Sequence, residues 1–362
     1  MSQPVHSTNE WSPLREIVVG SVAGAVYPSY GPIAAANGDP RWLEHYQGAF
    51  VEEDLVVLAD EQLTGLVEAL EEESIVVQRP DPMPHNLPTE TPFWRTRSGW
   101  NAANPRDLFM VVGDEIIECA SPHRHRQYER MAYRSLLNTY ASAGARWTSA
   151  PPPMLHDALY NHALALNPPA RADDGAPCVL EDGQEPVYAI REIEPVWEAA
   201  DFVRCDDVIV GIRSNVTNQA GFGWLRRHLG DRANVIELKT RCARPNHIDT
   251  TFVPLRPGVA LVNAAWIDYD ALPDALKSWT LIEAPEPHYA EDSPMASPYF
   301  TSQWLSMNVL SIDERRVFVD EQQTELIRRL ESHGFEPMPL PFDAVGAFGG
   351  SFHCVTLDMR RD

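Results

Sequence analysis

The strongest constraint on what this chain can fold into is a repeat. One order of elements, an apolar strand, an amphipathic helix and a second strand, returns about every sixty residues, five times along the sequence. The first copy has a strand at residues 15–20, a helix across 55–71 and a strand at 75–77. The second opens on a hairpin at 108–118 with Gly113-Asp114 as its turn. Its helix runs through Tyr128, Tyr133, Leu136, Leu137 and Tyr140, ends at Gly144, and precedes a strand at 146–148. The third has strands at 202–204 and 208–210, a helix at 224–229 stopped by Gly230, and a strand at 235–238. The fourth has strands at 259–262 and 280–282 around a short helix near 272–276. The fifth has strands at 309–310 and 316–319, a helix at 324–332 capped by Gly334, and an extended tail to Leu340.

Alternating strands and helices predict an α/β fold. Modules repeated around an axis bury a common core and leave strand ends around a central site. An ordinary α/β sheet is the competing architecture; stop glycines recurring at matching places favour the repeat. Two inserts interrupt the period. Residues 151–195 are Pro-rich, and residues 27–48 are aromatic and loop-like. Long loops of this kind in a compact domain are often functional lids.

Composition narrows the partners. The chain has 362 residues, 44% of them hydrophobic, enough for a large core. Its net charge of -23 would repel a nucleic-acid backbone or an anionic membrane and attract a cationic small molecule. Acidic surfaces also serve solubility alone. The cysteines, Cys119, Cys178, Cys205, Cys242 and Cys354, are odd in number and widely spaced, without a C-x-x-C pair. That argues against a disulfide framework or a zinc site and for a reducing compartment. The first residues lack a basic and an apolar region, and no apolar run approaches ~18 residues. A cytoplasmic protein is expected.

Four short motifs carry chemistry. Gly349-Gly350-Ser351-Phe352-His353-Cys354 sets a thiol behind a glycine pair that permits unusual backbone angles. Cysteine is the best neutral-pH nucleophile among side chains when a histidine can exchange its proton. The other four cysteines read as buried structural thiols. In His247-Ile248-Asp249, the imidazole and carboxylate would face the same way on a strand, and Thr250-Thr251-Phe252 favours one. His353 on such a strand would point away from Cys354, so His247 is the preferred partner. Glu198-Ala199-Ala200-Asp201 sets two acids around two small residues, which would let a ligand approach the backbone; acids at a helix start would look the same. Pro105-Arg106-Asp107 reads alone as a turn before an apolar strand.

Together these motifs make the chain recognisable. It resembles the glycine amidinotransferase family, including the amidinotransferases that act on aminocyclitols in antibiotic synthesis. The resemblance runs from Asn9-Glu10-Trp11 to Arg361. It passes through Pro105-Arg106-Asp107, Arg213-Ser214-Asn215-Val216-Thr217-Asn218, His247-Ile248-Asp249, Trp304-Leu305-Ser306-Met307-Asn308-Val309-Leu310 and Phe352-His353-Cys354. It implies a five-bladed pseudo-symmetric α/β propeller of ββαβ-type repeats around a central active site, one domain over 1–362, which agrees with the five units. It implies ping-pong transfer of an amidino group from arginine to an amine. Cys354 would be the nucleophile, and His247 would alternate as acid and base. Asp107 and Asp249 would pair with the guanidinium, as a planar cation favours a carboxylate fork. Ser302 would bind substrate.

Two positions depart from the family pattern. Glu198 stands where the family has a catalytic aspartate; it is the expected partner of His247, with Asp201 as the alternative and as a substrate-binding candidate. Trp266 stands where glycine-type members have an arginine that clamps a substrate carboxylate; it offers a stacking face and one N–H. A non-glycine acceptor follows: an aminocyclitol, an amino sugar, a diamine or a larger amino acid. Arg95, Arg97 or Arg244 could restore a carboxylate clamp. The competing functions are a deiminase or dihydrolase of the same superfamily and a non-catalytic binding protein. Neither a metal nor an organic cofactor is expected, and a homodimer is allowed.

Overall fold

The computed structural model describes residues 3–37, 40–166, 179–181, 183–296, 298 and 301–362. Its strands form five three-stranded sheets of one construction, plus a small hairpin of Thr89–Glu90 with Arg95–Thr96. In each sheet the central strand has one antiparallel and one parallel neighbour. Leu14–Val19 lies between Thr356–Arg361 and Val76–Gln78. Glu115–Glu118 lies between Phe109–Val112 and Arg146–Ser149. The third sheet centres on Val208–Gly211, between Phe202–Cys205 and Asn234–Glu237. The fourth centres on Val259–Val262, between Phe252–Arg256 and Thr280–Glu283. The fifth centres on Arg316–Asp320, between Leu310–Ser311 and Glu336–Leu340.

The parallel pairs need crossovers, and helices supply most of them. Helix Glu53–Glu72 buries Ala59, Leu63, Leu66 and Leu70, a spacing that keeps one stripe on the core. Each buried leucine is worth about 1.5–3 kcal/mol. Helix Gln219–Leu229 starts where the Asn218 side chain accepts from the Gly221 amide at 2.9 Å. The expected stop glycines, Gly144, Gly230 and Gly334, all have positive φ. The repeat is therefore the product of one local recipe used five times.

Two strands escaped the sequence pattern. Phe252–Arg256 completes the fourth sheet, and Thr356–Arg361 returns the end of the chain to the first strand. That return matters for function, because it holds the turn carrying Cys354 just before an anchored strand. The insert at 27–48 contributes helices Pro32–Asn37 and Pro40–Tyr46, and the one at 151–195 contributes helix His162–Leu166. Cys178 lies outside the described residues. Cys119, Cys205 and Cys242 are buried, as expected. No helix among the described residues is long and apolar enough to cross a membrane.

Candidate active site

Cys354 sits in a turn, not on a strand, and one side chain shapes that turn. The Asn308 carbonyl oxygen Oδ1 accepts from the amides of Ser351, His353 and Cys354 at 3.2, 3.0 and 3.0 Å. Its Nδ2 donates to Cys354 Sγ at 3.2 Å. Asn308 follows the 3-10 helix Gln303–Met307, so that helix positions the turn. The glycine pair is required on two grounds. Gly349 has φ +91°, and a Cβ on Gly350 would stand 2.2 Å from Asn104 Oδ1 and 2.5 Å from Cys354 Cβ.

Around the thiol stand an imidazole and carboxylates. Cys354 Sγ donates to Asp249 Oδ2 at 3.2 Å and lies within 4.8 Å of a ring nitrogen of His247. His247 Nε2 lies 2.9 Å from Glu198 Oε2, and Nδ1 lies 3.6 Å from Asp107 Oδ1. The extra methylene of Glu198 thus reaches the imidazole directly. Ser121 Oγ donates to Glu198 Oε1, and the Thr217 side chain meets the Glu198 amide, fixing that carboxylate. Arg126 Nη1 donates to Asp107 Oδ2 at 2.6 Å, and its guanidinium lies over Trp100.

The expected strand for His247 and Asp249 is corrected. Residues Ile248–Thr250 form a 3-10 turn, and His247 has φ 62° and ψ 139°. Such a backbone costs a non-glycine residue about 1–3 kcal/mol and persists only where surrounding structure holds it. Both side chains still reach one cavity wall, but by a strained corner and not by strand alternation. The reason for setting His353 aside also falls, because it lies in the turn with its Nδ1 3.0 Å from Asp249 Oδ2, but the choice of His247 as the imidazole beside Cys354 stands.

Burial and charge set the protonation of the cluster. Burial pushes the Cys354 thiol up, and the Asp249 charge adds to it, while His247 opposes both. Burial works against a charged His247, yet Asp107, Cys354 and Glu198 hold it well above the usual histidine range. Burial also raises Asp107 despite His247 and Arg126. Glu198 moves down, because His123, Arg126 and His247 outweigh its burial. Acidity does not single out Cys354, since burial pushes Cys119 up to about 12 as well; the neighbours do.

A cavity of about 140 Å³ opens over this cluster. One buried water needs roughly 10–15 Å³, so the space suits a ligand. Asp107, His247 and Asp249 line it, and Cys354 and Glu198 lie behind that wall. Asp107 Oδ1 and Asp249 Oδ1 are buried without a hydrogen-bond partner. Trp266 and Ser302 are also on the wall. Ser302 Oγ accepts from the Trp304 amide at 3.2 Å, capping the helix that leads to Asn308. Of the three arginines considered for a carboxylate clamp, Arg244 lines this cavity, and its Nε donates to the Ala36 carbonyl at 2.8 Å. Arg95 and Arg97 do not line it.

Two expectations need correction. Asp201 is not on the cavity wall; it accepts from Ser214 Oγ at 2.6 Å, and burial raises its carboxyl to about 7. The choice between the two acids of that motif falls to Glu198. Second, metal-type donors are brought together: Asp107, His247 and Cys354 each offer an atom within 4.8 Å of the others. Arg126 is already bonded to the other oxygen of Asp107, and a cation beside that carboxylate disfavours a second one, so the set suits proton exchange better than metal binding. Asn308, His353 and Arg126 carried no role from sequence. Arg126 had a signal in the basic run His123-Arg124-His125-Arg126; Asn308 had none beyond its stretch.

No family model matches the chain. Its sequence is 37% identical over 363 residues to an L-arginine:L-lysine amidinotransferase of Pseudomonas savastanoi pv. phaseolicola, covering 99% of this chain and 95% of that protein. Among solved structures, an amidinotransferase of the saxitoxin biosynthetic pathway from Microseira wollei is 40% identical with a TM-score of 0.88, over 99% of this chain and 97% of that one. Inosamine-phosphate amidinotransferase from Streptomyces griseus is 32% identical with a TM-score of 0.85, over 99% and 97%.

Proposed function

Because the chain belongs to the amidinotransferase family, we propose that it carries the amidino group of L-arginine on Cys354 and delivers it to a primary amine other than glycine. The observation that supports this most is a pair of buried carboxylate oxygens without a hydrogen-bond partner, Asp249 Oδ1 and Asp107 Oδ1, the latter 3.6 Å from His247 Nδ1, in two acids that line the cavity. A guanidinium has five N–H donors in a planar fork and satisfies both acids at once. Its charge beside Sγ offsets the two carboxylates that keep the thiol protonated.

The steps follow. As the cation binds, the Cys354 thiol releases its proton to water and Sγ attacks the guanidinium carbon; the proton returns to sulfur when the thiolate is regenerated at the end of the cycle. The bond from that carbon to the ornithine nitrogen breaks. His247, held through Nε2 by Glu198, protonates the departing amine from its other nitrogen. The amidino group stays on sulfur as a thiouronium. An acceptor amine then attacks the same carbon, His247 takes its extra proton, and the thiolate leaves. Asn308 Nδ2, 3.2 Å from Sγ, supports the thiolate in both halves.

Trp266 on the cavity wall cannot pair with a carboxylate, which supports an acceptor of another shape: an aminocyclitol, an amino sugar, a diamine or a larger amino acid. Arg244 takes the α-carboxylate of arginine in this reading. The five sheets then act as blades of one domain around the cavity, in a cytoplasmic enzyme of specialised metabolism that works without a metal or an organic cofactor.

The test is product analysis with arginine and a panel of amines, including lysine, a diamine, an aminocyclitol and glycine. Ornithine with a guanidinylated amine is expected, with glycine the poorest acceptor. Citrulline with ammonia, or urea with ornithine, would make water the acceptor and the protein a hydrolase. Agmatine checks Arg244: Arg244→Ala should raise the KM for arginine and leave that for agmatine alone.

A further inference from the structure

A second cavity, of about 200 Å³, adjoins the first and shares Ala34, His123 and His125 with it. Its chemistry is the opposite. Arg95, Arg124 and His162 line it, and no described residue on its wall is acidic, in a chain of net charge -23. Arg124 is held in place: it donates to the Leu155 carbonyl at 2.6 Å and to Asp157 at 2.7 Å, and it lies 4.6 Å over the Tyr160 ring. Tyr160 is itself fixed, its hydroxyl donating to the Pro122 carbonyl at 2.9 Å. Arg95 stands exposed at the rim, on the small hairpin. Beside it, Thr96 Oγ1 is a buried hydroxyl with no hydrogen-bond partner. A hydroxyl donor with nothing to bond, on the wall of the same cavity as two arginines, is a donor set for an oxyanion.

We infer that this cavity holds an oxyanion, a carboxylate or a phosphate ester, at the end of the acceptor remote from its amine; this rests on the transfer reading above. The acidic cavity takes the cationic end of each substrate, and the basic cavity takes the anionic end of the second one. His123 and His125 stand between them. Burial lowers His123 to about 4 and pushes His125 down as well, so the partition is uncharged at neutral pH, although His123 is charged in the acid range where Glu198 titrates. The ligand class is therefore an amino acid or amino phosphate long enough to pass the two imidazoles.

Two measurements test this independently. Inorganic phosphate and acetate are titrated calorimetrically into the full-length protein at low ionic strength, where such contacts are least screened. Binding should weaken about fivefold or more in Arg95→Gln and in Arg124→Gln. Arg95 is exposed, so its variant has no folding liability. Phosphate about tenfold tighter than acetate would assign a phosphate ester; equal binding would assign a carboxylate. No binding of either anion, or binding unchanged in both variants, overturns the site. The second measurement loads the enzyme with arginine and follows discharge by a linear amino acid, its amino alcohol analogue and that alcohol's phosphate ester, matched in length. The ratio of anionic to neutral acceptor should collapse in Arg95→Gln; an unchanged ratio overturns the acceptor role. If arginine loads nothing while phosphate still binds at Arg95 and Arg124, the anion site stands and the transfer reading falls.

Discussion

Two buried clusters of arginine and carboxylate stand side by side in this protein, and they differ in one respect. In the first, Glu10, Asp358, Arg106, Arg204 and Arg361 use all their polar atoms. Arg204 alone bonds Glu10, Asp358, Ser7 and the Val111 carbonyl. Arg106 and Arg361 bond the two oxygens of Asp358 at 2.6 and 2.7 Å. In the second, Asp107, Asp249 and Arg126 each keep a buried atom without a partner. His353 joins the two, with Nδ1 toward Asp249 and Nε2 toward Glu10.

The titration of Asp358 and Asp107 records the difference, while Asp249, bonded to His353, moves down despite its burial. Burial would raise Asp358, but Arg106, Arg361 and Arg204 drive it well down. Asp107 is equally buried, and the charges around it do not overcome that burial, so it moves up. One cluster has its cations in place and ties the chain's two ends together. The other is short of positive charge, which a guanidinium substrate would supply.

The comparison can be broken by variants that confuse the two roles. Cys354→Ser should lower amidino transfer by about 10³-fold or more with little change in Tm. Arg204→Ala should do the reverse in kind, destabilising the fold by about 3–5 kcal/mol in urea unfolding, because it strands buried acids. If Arg204→Ala folds normally, the first cluster is not the structural one. Asp107→Asn should cost about 10²-fold in kcat/KM for arginine while stability holds or rises, since a strained charge is removed. Glu198→Asp should cost about 10–100-fold in kcat, the shorter reach loosening His247.

The smallest expected effect is in pH. Asp107 has a raised folded pKa, so its favourable contribution is complete below its unfolded value and is lost as pH rises through the folded one. A bound cation reverses that loss. The Tm increase given by arginine to Cys354→Ser should therefore be larger at neutral than at acid pH. Asp358 and Glu10 have the opposite sign: their stabilisation is present above the unfolded carboxylate range and is lost as acid approaches the lowered folded values. Acid unfolding of wild type should be steeper than that of Asp358→Asn.

Much of the fold was legible because periodicity and stop glycines are local signals. The helix boundaries near Gly144, Gly230 and Gly334 needed no tertiary information. Phe252–Arg256 was missed although its ladder partner, Val259–Val262, follows directly in sequence, because Pro254 inside it reads as a break and is tolerated only because the strand lies at the sheet edge. In the candidate site, Cys354, His247, Asp249, Asp107 and Glu198 were named from motifs and resemblance, and the structure brings the five side chains together. The backbone under them was not, because a positive φ at His247 is imposed by surroundings that sequence does not display. Asp201 was misjudged because an acid in a buried motif looks the same whether it faces a cavity or a serine. Asn308 was overlooked because its action is to shape a turn 46 residues away.

The most direct test is the intact mass of the protein after mixing with arginine, with Cys354→Ser in parallel. Gain of one amidino group on wild type alone, with ornithine released and the adduct discharged by an amine, is the predicted result. An unmodified wild-type protein that still turns arginine into citrulline or urea would contradict it.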